Sequence, residues 1–237
     1  MRKIDLDIIQ PCYNPSHDWA ESVWLHFQDL MKLLPGVNIN LVIVNDGSQK
    51  NVSGDSVDFL RERIENFQFI SYDPNRGKGY ALRMGITASR GPVQICTDID
   101  FPYELVHIQQ MYTLLNGNAD IVCGVRNRRY YDTLPSRRLI ASKTSQMLNQ
   151  MFLRLPFSDT QSGIKGFNGK GRRIMLGTTI ERYLVDTEFL AIAAREKNLS
   201  IVPFEVSLRD NVKISRMKTK VFIHEFRNFV RIYSNVR

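Results

Sequence analysis

Short apolar runs rich in Val and Ile alternate with longer stretches of helical periodicity along the first half of this chain. The runs are Leu6 to Ile9, Asn40 to Val44, Phe67 to Tyr72, Val93 to Cys96 and Ile121 to Val125. Between them lie Trp19 to Leu34, Val57 to Asn66, Gly79 to Ala88 and Pro102 to Leu115, each with apolar residues on a 3.6-residue period. Continuous apolar runs are what strands buried on both faces require, and intervening helices supply the crossovers of a parallel sheet. The pattern predicts an α/β fold with a mostly parallel, Rossmann-like sheet flanked by helices. After Arg126 the alternation stops. Arg137 to Leu153 reads as one amphipathic helix, Ser158 to Gly171 as a polar insertion, and Glu181 to Lys197 as a helix feeding a sixth run at Leu199 to Pro203.

Composition narrows the partners. Thirty-two Lys and Arg against 24 Asp and Glu leave a net charge of +8, which suits an anionic partner. Cys12, Cys96 and Cys123 are far apart and odd in number, which predicts buried thiols rather than a disulfide framework or a zinc site. Asp5 and Asp7 interrupt the first apolar run, so it does not read as a signal peptide. No apolar run approaches the roughly 18 residues of a spanning helix. The expected location is cytoplasmic, with a peripheral position on the cytoplasmic face of a membrane left open. With no linker rich in Gly, Ser or Pro, the chain divides most simply into one domain over 1–212 and a basic tail over 213–237.

Open parallel sheets bind ligands beyond the carboxyl ends of their strands. Four successive strand ends carry polar clusters: Gln10-Pro11-Cys12-Tyr13-Asn14, Asn45-Asp46-Gly47-Ser48, Asn75-Arg76-Gly77-Lys78-Gly79 and Thr97-Asp98-Ile99-Asp100. The glycines of the third would let backbone approach a ligand, with Arg76 and Lys78 adding positive charge and the next helix an N-terminus. Its spacing is not that of a P-loop. Asp98 and Asp100, two apart on an extended segment, would face one site, and such paired carboxylates suit Mg²⁺ or Mn²⁺ together with phosphate oxygens. Asp100 could instead cap a helix beginning near Pro102.

In this order the clusters resemble family 2 glycosyltransferases of the GT-A fold. Asp159-Thr160-Gln161-Ser162-Gly163-Ile164-Lys165-Gly166-Phe167 and Asp186-Thr187-Glu188-Phe189-Leu190 resemble two further segments of the polyprenyl- and dolichyl-phosphate mannose or glucose synthases. The likeness runs from about residue 4 to 216. It implies that Pro11, Tyr13, Asn14 and Asp46 hold the nucleotide of a UDP- or GDP-linked sugar, with Lys78 in the same pocket. Asp98 and Asp100 would hold the cation. Arg126 and Arg137 or Arg138 would meet phosphates, Asp159, Gln161 and Ser162 would line the sugar and acceptor side, and Arg209 with Ser215 and Arg216 would clamp phosphate. Pro15, Asn45 and Pro102 depart from the family pattern, and the last suggests that water takes a metal position.

The implied reaction is an inverting displacement at the anomeric carbon. A sugar-hydroxyl acceptor would need a general base, for which Asp186 or Glu188 is available. A lipid monophosphate is already ionised and needs cations instead. Five arginines between 126 and 138 favour the phosphate. From Lys213 onward seven Lys or Arg face only Glu225, and Phe222, Phe226, Phe229, Val230 and Tyr233 share a helical face. That basic amphipathic helix either lies on an anionic membrane or packs on the domain. The expected acceptor is thus a polyprenyl phosphate, with a glycan hydroxyl as the alternative. A nucleotidyltransferase and a nucleic-acid-binding module are remoter readings, the last disfavoured because acidic strand ends repel phosphate.

Overall fold

The computed structural model describes residues 3–126, 130, 142–143, 146–147, 159–160, 162–210, 228–229 and 231–232. Arg137, Arg138, Gln161, Ser215 and Arg216, most of the helix expected over 137–153 and most of the tail lie outside the described residues.

The expected alternation is present as β1 (Leu6–Cys12), α1 (Trp19–Leu33), β2 (Ile39–Asp46), α2 (Gly54–Arg61), β3 (Phe67–Tyr72), α3 (Lys78–Ala88), β4 (Val93–Cys96), α4 (Val106–Asn116) and β5 (Ile121–Arg126). There follow β6 (Lys165–Phe167), α5 (Gly169–Leu176), α6 (Val185–Ala193) and β7 (Ile201–Val206). One seven-stranded sheet runs in the order β3-β2-β1-β4-β6-β5-β7. All pairings are parallel except those of β6, which lies antiparallel between β4 and β5 and pairs Ile95 and Val122 with Gly166.

Every residue of β2 is buried, as is all of β1 except Pro11, which explains their nearly unbroken apolar sequence. One core layer packs α1 and α4 on this sheet through Val23, Phe27, Leu30, Ile108 and Met111. The opposite layer packs α3 and α6 through Leu82, Ile86, Phe189 and Leu190, and it includes Ile232 from the tail. Phe229 packs against the same layer, so at these two positions the tail's apolar side is covered by the domain. All three cysteines are buried free thiols.

Asp7, inside β1, is a structural pin. Its carboxylate accepts hydrogen bonds from Asn40 Nδ2 (2.6 Å) and from the backbone N–H groups of Arg90 (3.0 Å) and Gly91 (2.5 Å). Burial raises its pKa against these bonds.

The sequence reading needs four corrections. The polar insertion at 158–171 contains β6, whose three residues are all buried. Helix α2 begins at Gly54 because Ser53 Oγ caps the N–H of Ser56. Helix α4 begins at Val106 with Leu105 at its N-cap, so Asp100 does not cap it. Asp98 and Asp100 follow β4 into a turn rather than continuing it as extended chain.

Candidate active site

Three strand ends and two later segments converge on Asp98. Lys78, the first residue of α3, places Nζ 2.8 Å from Asp98 Oδ1. Burial alone would push the Lys78 ammonium down, but the Asp98 and Asp186 carboxylates outweigh it and hold its pKa above the ordinary lysine value. Gly163 lies against the other carboxylate oxygen, since a Cβ there would overlap Asp98 Oδ2. Gln10 Nε2 donates to the Asp98 carbonyl at 3.2 Å. Desolvation and the nearby Asp98 carboxylate raise the pKa of Asp100, which sits at the exposed end of the turn.

The glycine-containing loop is organised differently from the ligand cradle its sequence suggests. The Asp46 carboxylate accepts from the backbone N–H of Arg76 (2.7 Å), the N–H of Gly77 (2.8 Å) and Asn75 Nδ2 (2.8 Å). The N–H groups of Gly79 and Tyr80 donate to the Glu181 carbonyl at 2.7 and 3.2 Å. Gly77 and Gly79 are small because the backbone of residues 180–181 crosses directly over them. The Gly79 and Tyr80 amides therefore serve the protein itself, and the Lys78 side chain is the loop's charged group beside Asp98. Arg76 turns outward to pair with Glu181 at 2.5 Å and stacks on Tyr80.

Just beyond β1, Tyr13 is 52% exposed. Asn14 has φ 45° and ties two loops together: its N–H donates to Ser48 Oγ, and its Oδ1 accepts from the N–H of Gln49 at 2.8 Å. Pro11 lies in β1 just before them.

On the far side Arg126 and Asp159 form a bidentate pair, with Nε to Oδ2 at 2.7 Å and Nη2 to Oδ1 at 2.6 Å. Burial would raise the Asp159 pKa, but Arg126 overrides it and holds the carboxyl below its usual value. Arg126 also donates to Tyr130 Oη at 2.9 Å. Ser162 Oγ and the N–H of Gly163 both donate to Tyr103 Oη at 3.1 Å. Burial pushes the Tyr103 hydroxyl up to about 12, which keeps it protonated.

The two base candidates separate cleanly. Glu188 is 4% exposed and accepts from the N–H groups of Thr179 (2.9 Å) and Ile180 (2.8 Å) and from the Thr179 hydroxyl (2.8 Å). Asp186 instead pairs with the buried Lys165 at 3.2 Å and shares the field of Lys78. Only Asp186 belongs to the charged cluster around Asp98.

Arg209 is bonded to the carbonyls of Asp100 and Phe101. Among the described residues no three His, Cys, Asp or Glu side chains gather as a metal cluster. Sequence reasoning missed Tyr103, Gly163 and Lys165, and also His26, which bonds Arg209. Gly163 and Lys165 stand inside the 159–167 segment, whereas nothing local marks Tyr103 or His26.

A family model described as Glycosyl transferase family 2 matches residues 7–173. Glycosyltransferase AglD of Haloferax volcanii is 24% identical over 81% of this chain and 31% of its own length. The dolichyl-phosphate beta-glucosyltransferase of Drosophila melanogaster is 26% identical over 87% of this chain and 67% of its own. The chain thus spans about a third of the first relative and two thirds of the second. Among solved structures, glucosyl-3-phosphoglycerate synthase from Mycobacterium tuberculosis superposes with a TM-score of 0.65 at 14% identity, covering 98% of this chain and 80% of that one. The mannosyltransferase PcManGT from Pyrobaculum calidifontis, solved with GDP-Man and Mn2+, gives 0.54 at 15% identity over 97% of this chain and 61% of that one.

Proposed function

Because the chain belongs to glycosyl transferase family 2, we propose that it moves a hexose from a UDP- or GDP-linked donor to a polyprenyl phosphate, inverting the anomeric carbon. The observation that carries this reading is the convergence of Lys78 and Gly163 on Asp98 at the carboxyl end of β4, with the Asp186 carboxylate acting on the same lysine. The dolichyl-phosphate acceptor in the Drosophila relative's name supports the choice of lipid.

The donor set fits a divalent cation. Desolvation and the neighbouring Asp98 carboxylate raise the proton affinity of Asp100, a cost that a bound cation would relieve. Mg²⁺ or Mn²⁺ would neutralise charge on the departing diphosphate, with phosphate and water oxygens filling the remaining positions. The Mn2+ in the PcManGT structure supports that assignment.

The chain's own groups do the rest. Lys78 supplies fixed positive charge to the nucleotide phosphates. Tyr13 offers an exposed aromatic face to the base. Tyr103 and Lys165 hold the 162–165 segment against the site, through hydrogen bonds to Ser162 and Gly163. Asp186, held by Lys165 and acting on Lys78, is the carboxylate available to orient a sugar hydroxyl. A lipid phosphate attacks already ionised and needs no base. Arg126, fixed by Asp159, and the arginines at 137 and 138 provide the acceptor-side positive charge, with the basic 213–237 tail near an anionic membrane surface. No described helix is long and apolar enough to cross a membrane.

A panel of UDP- and GDP-sugars, with Mg²⁺ or Mn²⁺ and with or without polyprenyl phosphate, tests the proposal. Labelled sugar on the lipid is the expected result. Transfer to a saccharide without lipid product would overturn the acceptor and favour the glycan alternative.

A further inference from the structure

The backbone after Asp100 is held in an unusual way. Phe101 has φ 44°, a left-handed conformation that non-glycine residues rarely adopt. Its ring is buried, so the residue cannot swing out to relax. The carbonyls that follow this turn end on one arginine. Arg209 Nε donates to the Phe101 carbonyl at 2.6 Å, Nη2 to the Asp100 carbonyl at 2.8 Å, and the Arg209 backbone N–H to the Pro102 carbonyl at 2.9 Å.

The remaining arm of the guanidinium reaches His26 on α1, Nη1 donating to Nε2. Arginine can only donate, so Nε2 must accept and the imidazole proton sits on Nδ1. That proton points at the Ser22 carbonyl, 2.6 Å away and one helical turn back. Burial and the adjacent Arg209 charge lower the His26 pKa, in keeping with a neutral ring, while Asp29 and Asp100 act weakly the other way. The imidazole also lies 5.9 Å from the Phe101 ring, centroid to centroid. A side chain of a packed helix thus fixes both the turn's ring and the arginine that binds its carbonyls.

We propose that Arg209 and His26 form a fastener that positions the Asp98–Asp100 turn, acting on its carboxylates through the backbone rather than by touching donor phosphates. Both are positioning residues. This departs from the role that the family resemblance gives Arg209, and it rests on the reading of the turn as the donor site.

The test compares Arg209→Met, His26→Leu, their combination and His26→Gln, whose amide oxygen can still accept from Arg209. Hydrogen exchange of the 98–103 amides in the full, ligand-free chain is the first readout. Both single variants should exchange there about tenfold faster, with β1 and β2 unchanged. The double variant should be no faster than the worse single one, and His26→Gln should stay close to wild type. Unchanged exchange in Arg209→Met, or additive effects in the double variant, would overturn the fastener.

The second readout is Mn²⁺ binding by electron paramagnetic resonance with UDP or GDP present. Affinity should fall about tenfold in both single variants. Wild-type affinity in His26→Leu alongside loss in Arg209→Met would make Arg209 a direct phosphate ligand and overturn the proposal. If exchange responds as expected while wild type binds neither Mn²⁺ nor nucleotide, the fastener is supported and the glycosyltransferase reading is the one that fails.

Discussion

Lys78 Nζ rests 2.8 Å from Asp98 Oδ1, an ion pair joining the start of α3 to the end of β4. The pair places a fixed cation beside the carboxylates while the backbone amides of Gly79 and Tyr80 are spent on Glu181. Positive charge for a nucleotide is therefore concentrated in one side chain. Lys78→Met is expected to weaken UDP or GDP binding by about tenfold or more, read by calorimetry. Undiminished affinity would return the phosphate site to the loop backbone.

Asp100 is exposed, and its carbonyl rather than its carboxylate is what Arg209 holds. Asp100→Ala should leave thermal stability nearly unchanged and reduce sugar transfer by about 10²–10³-fold. Retained transfer would remove the metal assignment.

Gly163 is sterically coupled to Asp98, with no room for a methyl group beside Oδ2. Gly163→Ala should displace that carboxylate and weaken Mn²⁺ binding by about tenfold, as judged by electron paramagnetic resonance, with circular dichroism unchanged. Normal Mn²⁺ affinity in a folded variant would show that Asp98 Oδ2 is not a ligand.

Glu188 was a base candidate on sequence, yet its carboxylate closes the chain reversal at Thr179 and Ile180. Glu188→Gln is expected to lower unfolding stability by about 1.5–3 kcal/mol in urea titrations, as a buried charged acceptor is lost. Turnover per folded molecule should persist. Lost turnover at full stability would reinstate it in the chemistry.

Arg126 and Asp159 make stability depend on acid. The folded Asp159 carboxyl titrates below its unfolded value near 3.9, so its contribution is present above about pH 4 and lost as pH falls through the folded pKa. Urea midpoints measured from pH 6 down to pH 2.5 should fall less steeply in Asp159→Asn than in wild type. Parallel curves would mean that the pair adds nothing to folding.

Much of the fold was legible because β1, β2 and β4 are buried on both faces and must read as apolar runs. β6 was not legible, for a physical reason. It is three residues long, Lys165-Gly166-Phe167, and its lysine is buried only because Asp186 and the Ser162 carbonyl meet it there. A charged residue inside a strand is intelligible once its partner is known, and the carboxylate is 21 positions away.

The chain's own pattern determined the α/β sheet and the clustering of polar residues at four strand ends, Asp98 and Asp100 among them. Tertiary structure decided which of those groups the protein itself uses. Asp46, Glu188 and Asn14 carry donors or acceptors as suitable as any, but segments from elsewhere in the chain arrive within 3 Å and use them. His26 and Tyr103 enter the site with no local signal at all. A carboxylate accepts whichever N–H the fold brings nearest, and residue type fixes its capacity for hydrogen bonds without fixing the partner.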